Sequence, residues 1–322
     1  MDKFLNNNLI TNDKFYSQLN DKLIKEGVKV EELKNIEISN DVIGIKVNIV
    51  YRGKYKGKNV AVKALTRKVV QNRADDFVRE VSLQTKLSHE RIPKVHCVAF
   101  SEKNVYVVID EITKCTTLDK KCKDVDYKQK INYFIQLVTI VDQLHKINII
   151  HRDLNPSDIL ISDKNIVYLT NFGLSKDITS GTATATIDSK GTIKYMPPEC
   201  FIFDEEYSDD EGDQAVNLNI TLNMDIWALG CIMSECLTNI SPWSNLDWDS
   251  FDYKALDIKK KTVINDIVIT EILVSQEVPF PLPEEIKQPM RGIILCCVEQ
   301  IKEKRINTGS LLKRLNEHYT KL

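Results

Sequence analysis

The chain carries almost no net charge. Its 44 lysines and arginines stand against 46 aspartates and glutamates, a formal net charge of −2. Without a basic excess there is no electrostatic footprint for nucleic acid or for an anionic membrane surface, so neither is expected as a partner. No run reaches the roughly 18 apolar residues that a spanning helix needs, and membrane insertion is not expected. The opening residues, Met1-Asp2-Lys3-Phe4-Leu5-Asn6-Asn7-Asn8, lack the apolar core of a signal peptide. Asp2 in place of glycine excludes N-myristoylation. The eight cysteines form no Cys-x-x-Cys pair, which argues against zinc and for reduced, buried thiols. The expected location is the cytosol, with the nucleus as the alternative. No internal repeat is visible.

What is present is a chain of 322 residues with 43% hydrophobic residues, enough for a substantial core. Residues 1–35 are polar, with Leu19, Leu23, Ile24 and Val28 at helical spacing. They predict a short helical extension, packed on the rest or loosely attached. From Ile36 to Leu65 the pattern is strand-like: Ile43 to Tyr51, a turn at Tyr55-Lys56-Gly57-Lys58, then Asn59 to Leu65. Ala74 to Leu87 predicts an amphipathic helix, and Val95 to Phe100 and Val105 to Ile109 two more strands. The remainder is mostly helical. Tyr127 to Lys146 is too apolar for a surface helix; Met224 to Leu237, Met290 to Ile301 and Gly309 to Leu315 follow. Sheet first and helices second predict an α+β chain of two lobes, a small β-rich one with one main helix and a larger helical one. The acidic run Asp204 to Asp213 predicts a solvated loop, part of an insertion over about 203–222.

The most distinctive segment is His151-Arg152-Asp153-Leu154-Asn155-Pro156-Ser157-Asp158, placed after the apolar helix and before the strand Ile159-Leu160-Ile161. In order around it stand Val60-Ala61-Val62-Lys63, Glu80, Asn171-Phe172-Gly173, Gly191 to Glu199, Asp225-Ile226-Trp227-Ala228-Leu229-Gly230 and Arg305. Together they resemble the eukaryotic-type protein kinase domain over about residues 36–318. Val50 to Gly57 and Tyr195 to Cys200 look most like its tyrosine-kinase-like branch, which is mostly specific for serine and threonine; Thr192 after Gly191 points to the same acceptors.

The resemblance implies a two-lobed fold, with lobes over about 36–110 and 113–318. It implies ATP and magnesium or manganese as cofactors, and a protein substrate or regulatory partner. Asp153 would accept or orient the proton of the acceptor hydroxyl. Lys63, paired with Glu80, would hold phosphates. Ile43, Gly44, Val50, Ala61, Ile109, Glu111 and Asn155 would line the nucleotide site, and Asp158 and Asn171 would ligate the metal. Arg305 would pair with Glu199. The hydroxyls of Ser175 to Ser189 would form an activation loop, with Arg152 as a receiving charge.

Four departures from the family pattern bear on activity. The three expected loop glycines fall at Ile43, Ile45 and Asn48, with Gly44 one place out of phase. Asn171 replaces the metal-binding aspartate, and a neutral amide should weaken binding of a hard cation. Asp158 stands where the family has asparagine, so amide and carboxylate are exchanged and their summed charge is kept. Asn155 replaces a lysine expected at the transferring phosphate. Beside these four, a smaller oddity is Gln84, four residues after Glu80, which puts a polar group where an apolar one is expected and should loosen the active arrangement. Two readings follow: an ATP-dependent Ser/Thr protein kinase, slow in transfer, or a pseudokinase acting as a nucleotide-binding or scaffold module. Phosphotransfer to a small molecule is less favoured, because Gly191 to Glu199 resembles a platform for protein substrates.

Overall fold

The computed structural model describes residues 13–45, 49–179, 192–200, 220–244 and 282–322. It forms two compact units, Met1–Cys115 and Thr116–Leu322. The acidic run and most of the hydroxyl-rich segment lie outside the described residues.

The first unit is a five-stranded antiparallel sheet in the order β1-β2-β3-β5-β4. Its strands are β1 (Ile36–Ile45), β2 (Ile49–Tyr55), β3 (Lys58–Thr66), β4 (Val95–Phe100) and β5 (Asn104–Asp110). The strand expected over Ile43 to Tyr51 is instead the meeting of β1 and β2, which pair with Ile45 opposite Ile49. Ile43, Ile45, Val47 and Ile49 alternate with Gly44, Lys46 and Asn48 in one unbroken period-2 pattern, which marks neither the end of β1 nor the start of β2. The expected turn closes β2 onto β3: Lys56 and Gly57 both have positive φ, 49° and 75°, the backbone of a two-residue hairpin turn. At Gly53 a Cβ would lie 2.6 Å from the Glu37 carbonyl oxygen, so only glycine fits there.

Alternation along the strands gives the sheet two apolar faces. Val60, Val62, Cys97, Ala99 and Val108 pack with Leu33, Ile36 and Tyr55 on one of them. The other face holds Val98, Val105 and Val107 under three helices, α1 (Lys14–Lys25), α2 (Arg67–Asn72) and α3 (Ala74–Lys86). The helix in the N-terminal extension is therefore part of the core. Tyr16, Leu19 and Leu23 are fully buried, each contributing about 2 kcal/mol of apolar burial.

The second unit begins within the short strand β6 (Cys115–Thr117) and the single turn α4 (Leu118–Lys121). Its centre is α5 (Tyr127–Lys146), started by Asp126, whose side chain accepts from Gln129 N at 2.7 Å. Ile131, Phe134, Leu137, Val138 and Val141 bury its broad apolar face. The helix α6 (Asn223–Thr238) is apolar nearly all round and deeply buried, and ends at Asn239 in the left-handed conformation. Against it packs α7 (Met290–Cys297): a Cβ on Gly230 would lie 2.7 Å from Val298 Cγ1 and 2.8 Å from Cys297 Cβ. The last helix, α8 (Thr308–Tyr319), lies on α5, where Thr308 donates to Asp142 at 2.7 Å. Between α5 and α6 run β7 (Ile149–Ile150), β8 (Ile159–Ser162), β9 (Val167–Leu169) and β10 (Lys176–Asp177). β7 pairs with β10 and β8 with β9, both antiparallel. All eight cysteines are free thiols, six of them buried. Among the described residues no helix is long and apolar enough to cross a membrane.

Candidate functional site

Each unit assembles its own share of the candidate residues. In the first, they lie on the helix-covered face of the sheet. Lys63 stands opposite Val50 on β2, and Ala61 opposite Ile109 on β5. Directly opposed antiparallel residues point the same way, so these four side chains share a face. Lys63 Nζ lies 3.2 Å from Glu80 Oε1 on α3, with the two side chains 26% and 20% exposed. The helix places Glu80 there because Phe77 and Val81, on either side of it in sequence, point into the core.

Gly44 pairs with Val50, and a Cβ at that position would meet only the Val50 side chain at 3.6 Å, an ordinary contact. The backbone there has no need of glycine. Ile43 is exposed, 37% of its surface open, on a strand that runs on through Ile45; Asn48 lies outside the described residues. Glu111 has its carboxylate engaged by Arg52, whose Nε is 2.7 Å from Oε1, while the same guanidinium pairs with Asp41. Sequence reasoning missed Arg52, because an arginine on a strand gives no sign of its partners 11 and 59 residues away. Gln84, expected to loosen the active arrangement, has a partner of its own: its Nε2 donates to the Pro93 carbonyl at 2.7 Å and ties the helix to the approach to β4.

In the second unit one buried carboxylate organises the loop between β7 and β8. Asp225, in the first turn of α6, accepts from the backbone N–H of His151 and of Arg152, both at 2.9 Å, and lies 2.9 Å from His145 Nε2. Burial alone would push its pKa up, but these hydrogen bonds and the neighbouring histidines outweigh it and hold the carboxyl below its ordinary value. The two backbone bonds secure Arg152 in a left-handed conformation, φ 70°, that an arginine seldom adopts. Asp153 follows. Its Oδ1 accepts from Thr192 N at 3.0 Å and from Thr192 Oγ1 at 3.3 Å. Burial raises its pKa, with the charge of Asp158 adding to the rise and the Thr192 bonds opposing it.

Asn155 departs from its expected role. Its Nδ2 donates to the Asp153 carbonyl at 3.1 Å and to Asp158 Oδ2 at 2.5 Å, and its Oδ1 accepts from Ser157 N and Oγ. An amide nitrogen has two protons, and both are engaged, so Asn155 braces the loop and has no donor left for a phosphate. Asp158, 4% exposed, also receives Asn171 Nδ2 at 2.9 Å on the same oxygen. Asn171 has φ 67°, a conformation that asparagine tolerates better than most residues. With its amide N–H turned to Asp158, its carbonyl oxygen is the pole available to a cation. Among the described residues no cluster of three or more His, Cys, Asp or Glu could hold a metal alone. The Asp158–Asn171 pair fits a hard divalent ion that brings phosphate and water oxygens with it, as magnesium does.

Two further residues differ in standing. Ser175, expected among modifiable hydroxyls, is 1% exposed and donates to the His151 carbonyl at 3.2 Å, so it serves the fold. Arg305 forms a two-bonded pair with Glu199 at 2.5 and 2.7 Å, with its own side chain fully buried and stacked 5.0 Å from the Trp227 ring.

Comparison with known proteins bears on the family. The family profile described as Protein kinase domain matches residues 46–317. The chain is 30% identical over 238 residues to an Aurora kinase of Saccharomyces cerevisiae, covering 69% of this chain and 59% of that protein. It is 26% identical over 193 residues to a probable serine/threonine-protein kinase of Clostridium acetobutylicum, covering 58% of this chain and 27% of the relative. It is 24% identical over 221 residues to the tyrosine-protein kinase transforming protein Abl of Abelson murine leukemia virus, covering 67% and 28%. The chain thus spans little more than half of the first relative and under a third of the other two. With a β-sheet unit followed by a helical one and a profile match over most of its length, the chain belongs to the protein kinase domain family.

Proposed function

We propose that this chain transfers the γ-phosphoryl group of ATP to serine or threonine hydroxyls of a protein, and does so slowly. The observation that carries the reading is the state of Asp153. It is a carboxylate with a raised pKa, held by Thr192 in a loop that Asp225 fixes. Higher basicity makes a better proton acceptor, provided the group stays ionised at working pH. Glu80 holds Lys63 in place to meet phosphate oxygens. Asp158 and the Asn171 carbonyl oxygen would hold the metal, which when bound neutralises phosphate charge. Slowness follows from two features: the carboxylate of the metal pair stands at 158 and the amide at 171, which shifts the metal's geometry, and Asn155 brings no cation to the transferring group. The Ser/Thr choice rests on Thr192 beside Asp153 and on the relative named as a serine/threonine kinase. The tyrosine-kinase-like branch rests only on Val50 to Gly57 and Tyr195 to Cys200.

A second reading, a nucleotide-binding scaffold without transfer, is favoured by one observation: Asn155 is fully engaged within the loop. Phosphate transfer to a protein substrate, measured with magnesium and with manganese for the wild type, Asp153→Asn and Asn171→Asp, separates the two. Transfer by the wild type that vanishes in Asp153→Asn supports the kinase. No transfer by any of the three, alongside retained ATP binding, supports the scaffold.

A further inference from the structure

The Lys63–Glu80 pair joins a strand to a helix, so its geometry depends on how α3 is held against the sheet. Residues 13–31 grip both. On the helix side, Lys22 of α1 pairs with Asp75 at 2.6 Å, at the start of α3. Glu26 pairs with Lys86 at 3.0 Å, at its end, and accepts from Ser82 Oγ at 3.2 Å. On the sheet side, Asp13 pairs with Arg67, just past β3, at 2.6 Å. Tyr16 Oη donates to the Ser101 carbonyl, just past β4, at 2.7 Å inside the core. The chain then lies beside β4 as a parallel bridge at Val30, with Val98 N donating to the Lys29 carbonyl at 2.9 Å and Glu31 N to the Val98 carbonyl at 2.8 Å. Leu19 and Leu23 fill the space between, in the same apolar cluster as Phe77, Val78 and Val81 of α3.

We infer that this N-terminal segment is a strap that positions Glu80: it fixes both ends of α3 to the sheet and so sets the Lys63–Glu80 pair that receives the triphosphate tail of a nucleotide. The polar contacts bracket the helix, one at Asp75 and one at Lys86, with Glu80 midway. An ion pair at each end resists tilting in a way that one central contact would not. The apolar contacts supply the adhesion and the charges supply the register, because burial is non-directional and a paired charge is not. Lys22, Glu26, Asp75 and Lys86 are positioning residues; none of them touches the nucleotide face.

The inference rests on the nucleotide-binding part of the proposed function, and the test keeps the two apart. Binding of ATP with magnesium and of adenosine is measured by calorimetry for the intact chain, for Lys22→Glu with Glu26→Lys, and for that pair combined with Asp75→Lys and Lys86→Glu. The four side chains are between 44% and 85% exposed, so these chains fold. Reversing the two strap charges, Lys22 and Glu26, sets like charges against both ends of α3. ATP affinity should fall about three- to tenfold while adenosine, which has no phosphates for Lys63, is unchanged. Reversing α3 as well should recover most of the loss. Equal loss for both ligands, no loss for either, or no recovery in the fourfold variant overturns the strap. A wild type that binds neither ligand overturns the nucleotide reading and the strap with it; one that binds ATP with an unmoved preference in the reversed variant overturns the strap alone.

Discussion

The two units carry their polar chemistry in different ways. In the first, Lys63 and Glu80 form a single ion pair at 3.2 Å, partly open to solvent, with charges fixed by one partner each. In the second, Asp153, Asn155, Asp158 and Asn171 form a dense mesh around two buried side chains, Asn155 and Asp158, in which Asp158 Oδ2 alone receives two amides. A pair has no slack: removing either member leaves the other unmatched. A mesh can exchange members, because a carboxylate and an amide both present oxygen and their summed charge is indifferent to which position holds which. The Lys63–Glu80 pair and the mesh differ in this way against the family pattern. Lys63 and Glu80 match it, and the amide–carboxylate exchange lies in the mesh.

The mesh has one member that cannot be exchanged, and its loss should give the largest effect. Asp153→Asn keeps the shape and can still accept from Thr192, but it cannot take a proton. Transfer should drop by about a hundredfold to ten-thousandfold in kcat, with the melting temperature near that of the wild type. A kcat within threefold of wild type would remove Asp153 from the chemistry and bring down the comparison at its centre. The exchangeable pair should behave otherwise. Asp158→Asn leaves two amides facing an amide and removes the only carboxylate of the metal pair. Metal-dependent nucleotide binding should weaken by roughly tenfold or more. Adding Asn171→Asp should restore it. If Asp158→Asn changes nothing, or the double variant stays as weak as the single one, the mesh does not share its roles as argued.

Next in size is the test on the pair. Glu80→Gln keeps a hydrogen-bond acceptor near Lys63 but removes the charge. ATP affinity should fall about three- to tenfold, as expected for a partly exposed ion pair reinforced by a hydrogen bond. No second substitution among its sheet-face neighbours Val50, Ala61 and Ile109 should rescue it. Rescue by any of them would show that the pair too has slack.

How much of this was legible in the sequence also divides by region. The helix Tyr127–Lys146 and the strand Val95–Phe100 were read to the residue, since strong periodicity and the Asp126 cap mark their limits. The motif order placed Lys63, Glu80, Asp153, Asp158 and Asn171, because each motif has a fixed place relative to the elements around it. Three features were not legible. The division of Ile43 to Tyr51 between two strands was hidden by an unbroken period-2 alternation. The engagement of Asn155 depends on which way one amide turns. The grip of residues 13–31 on α3 depends on partners such as Asp75, Ser82, Val98 and Ser101, more than fifty residues away. Periodicity tells which face of α1 is apolar; it says nothing of what that face meets. Gln84 shows the same limit in reverse, since a polar residue that looks misplaced is satisfied by the Pro93 carbonyl nine residues on.

The smallest expected effect is also the most specific. Asp153 must be ionised to accept a proton, and its pKa is raised by burial. Activity should therefore fail as pH drops through that raised value, at a higher pH than for an ordinary aspartate, and be complete above it. Thr192 opposes the rise with two hydrogen bonds to the ionised form. Thr192→Val removes the hydroxyl bond and keeps the backbone one. The carboxylate loses a donor that favoured its charge, so its pKa should climb further and the acid limb of kcat/KM should move to higher pH. Above that limb the loss should be modest. A limb that stays in place would mean that the Oγ1 contact at 3.3 Å does not bear on Asp153. A limb that moves to lower pH would mean that the group titrating there is not Asp153, and the mesh would then need a different proton acceptor.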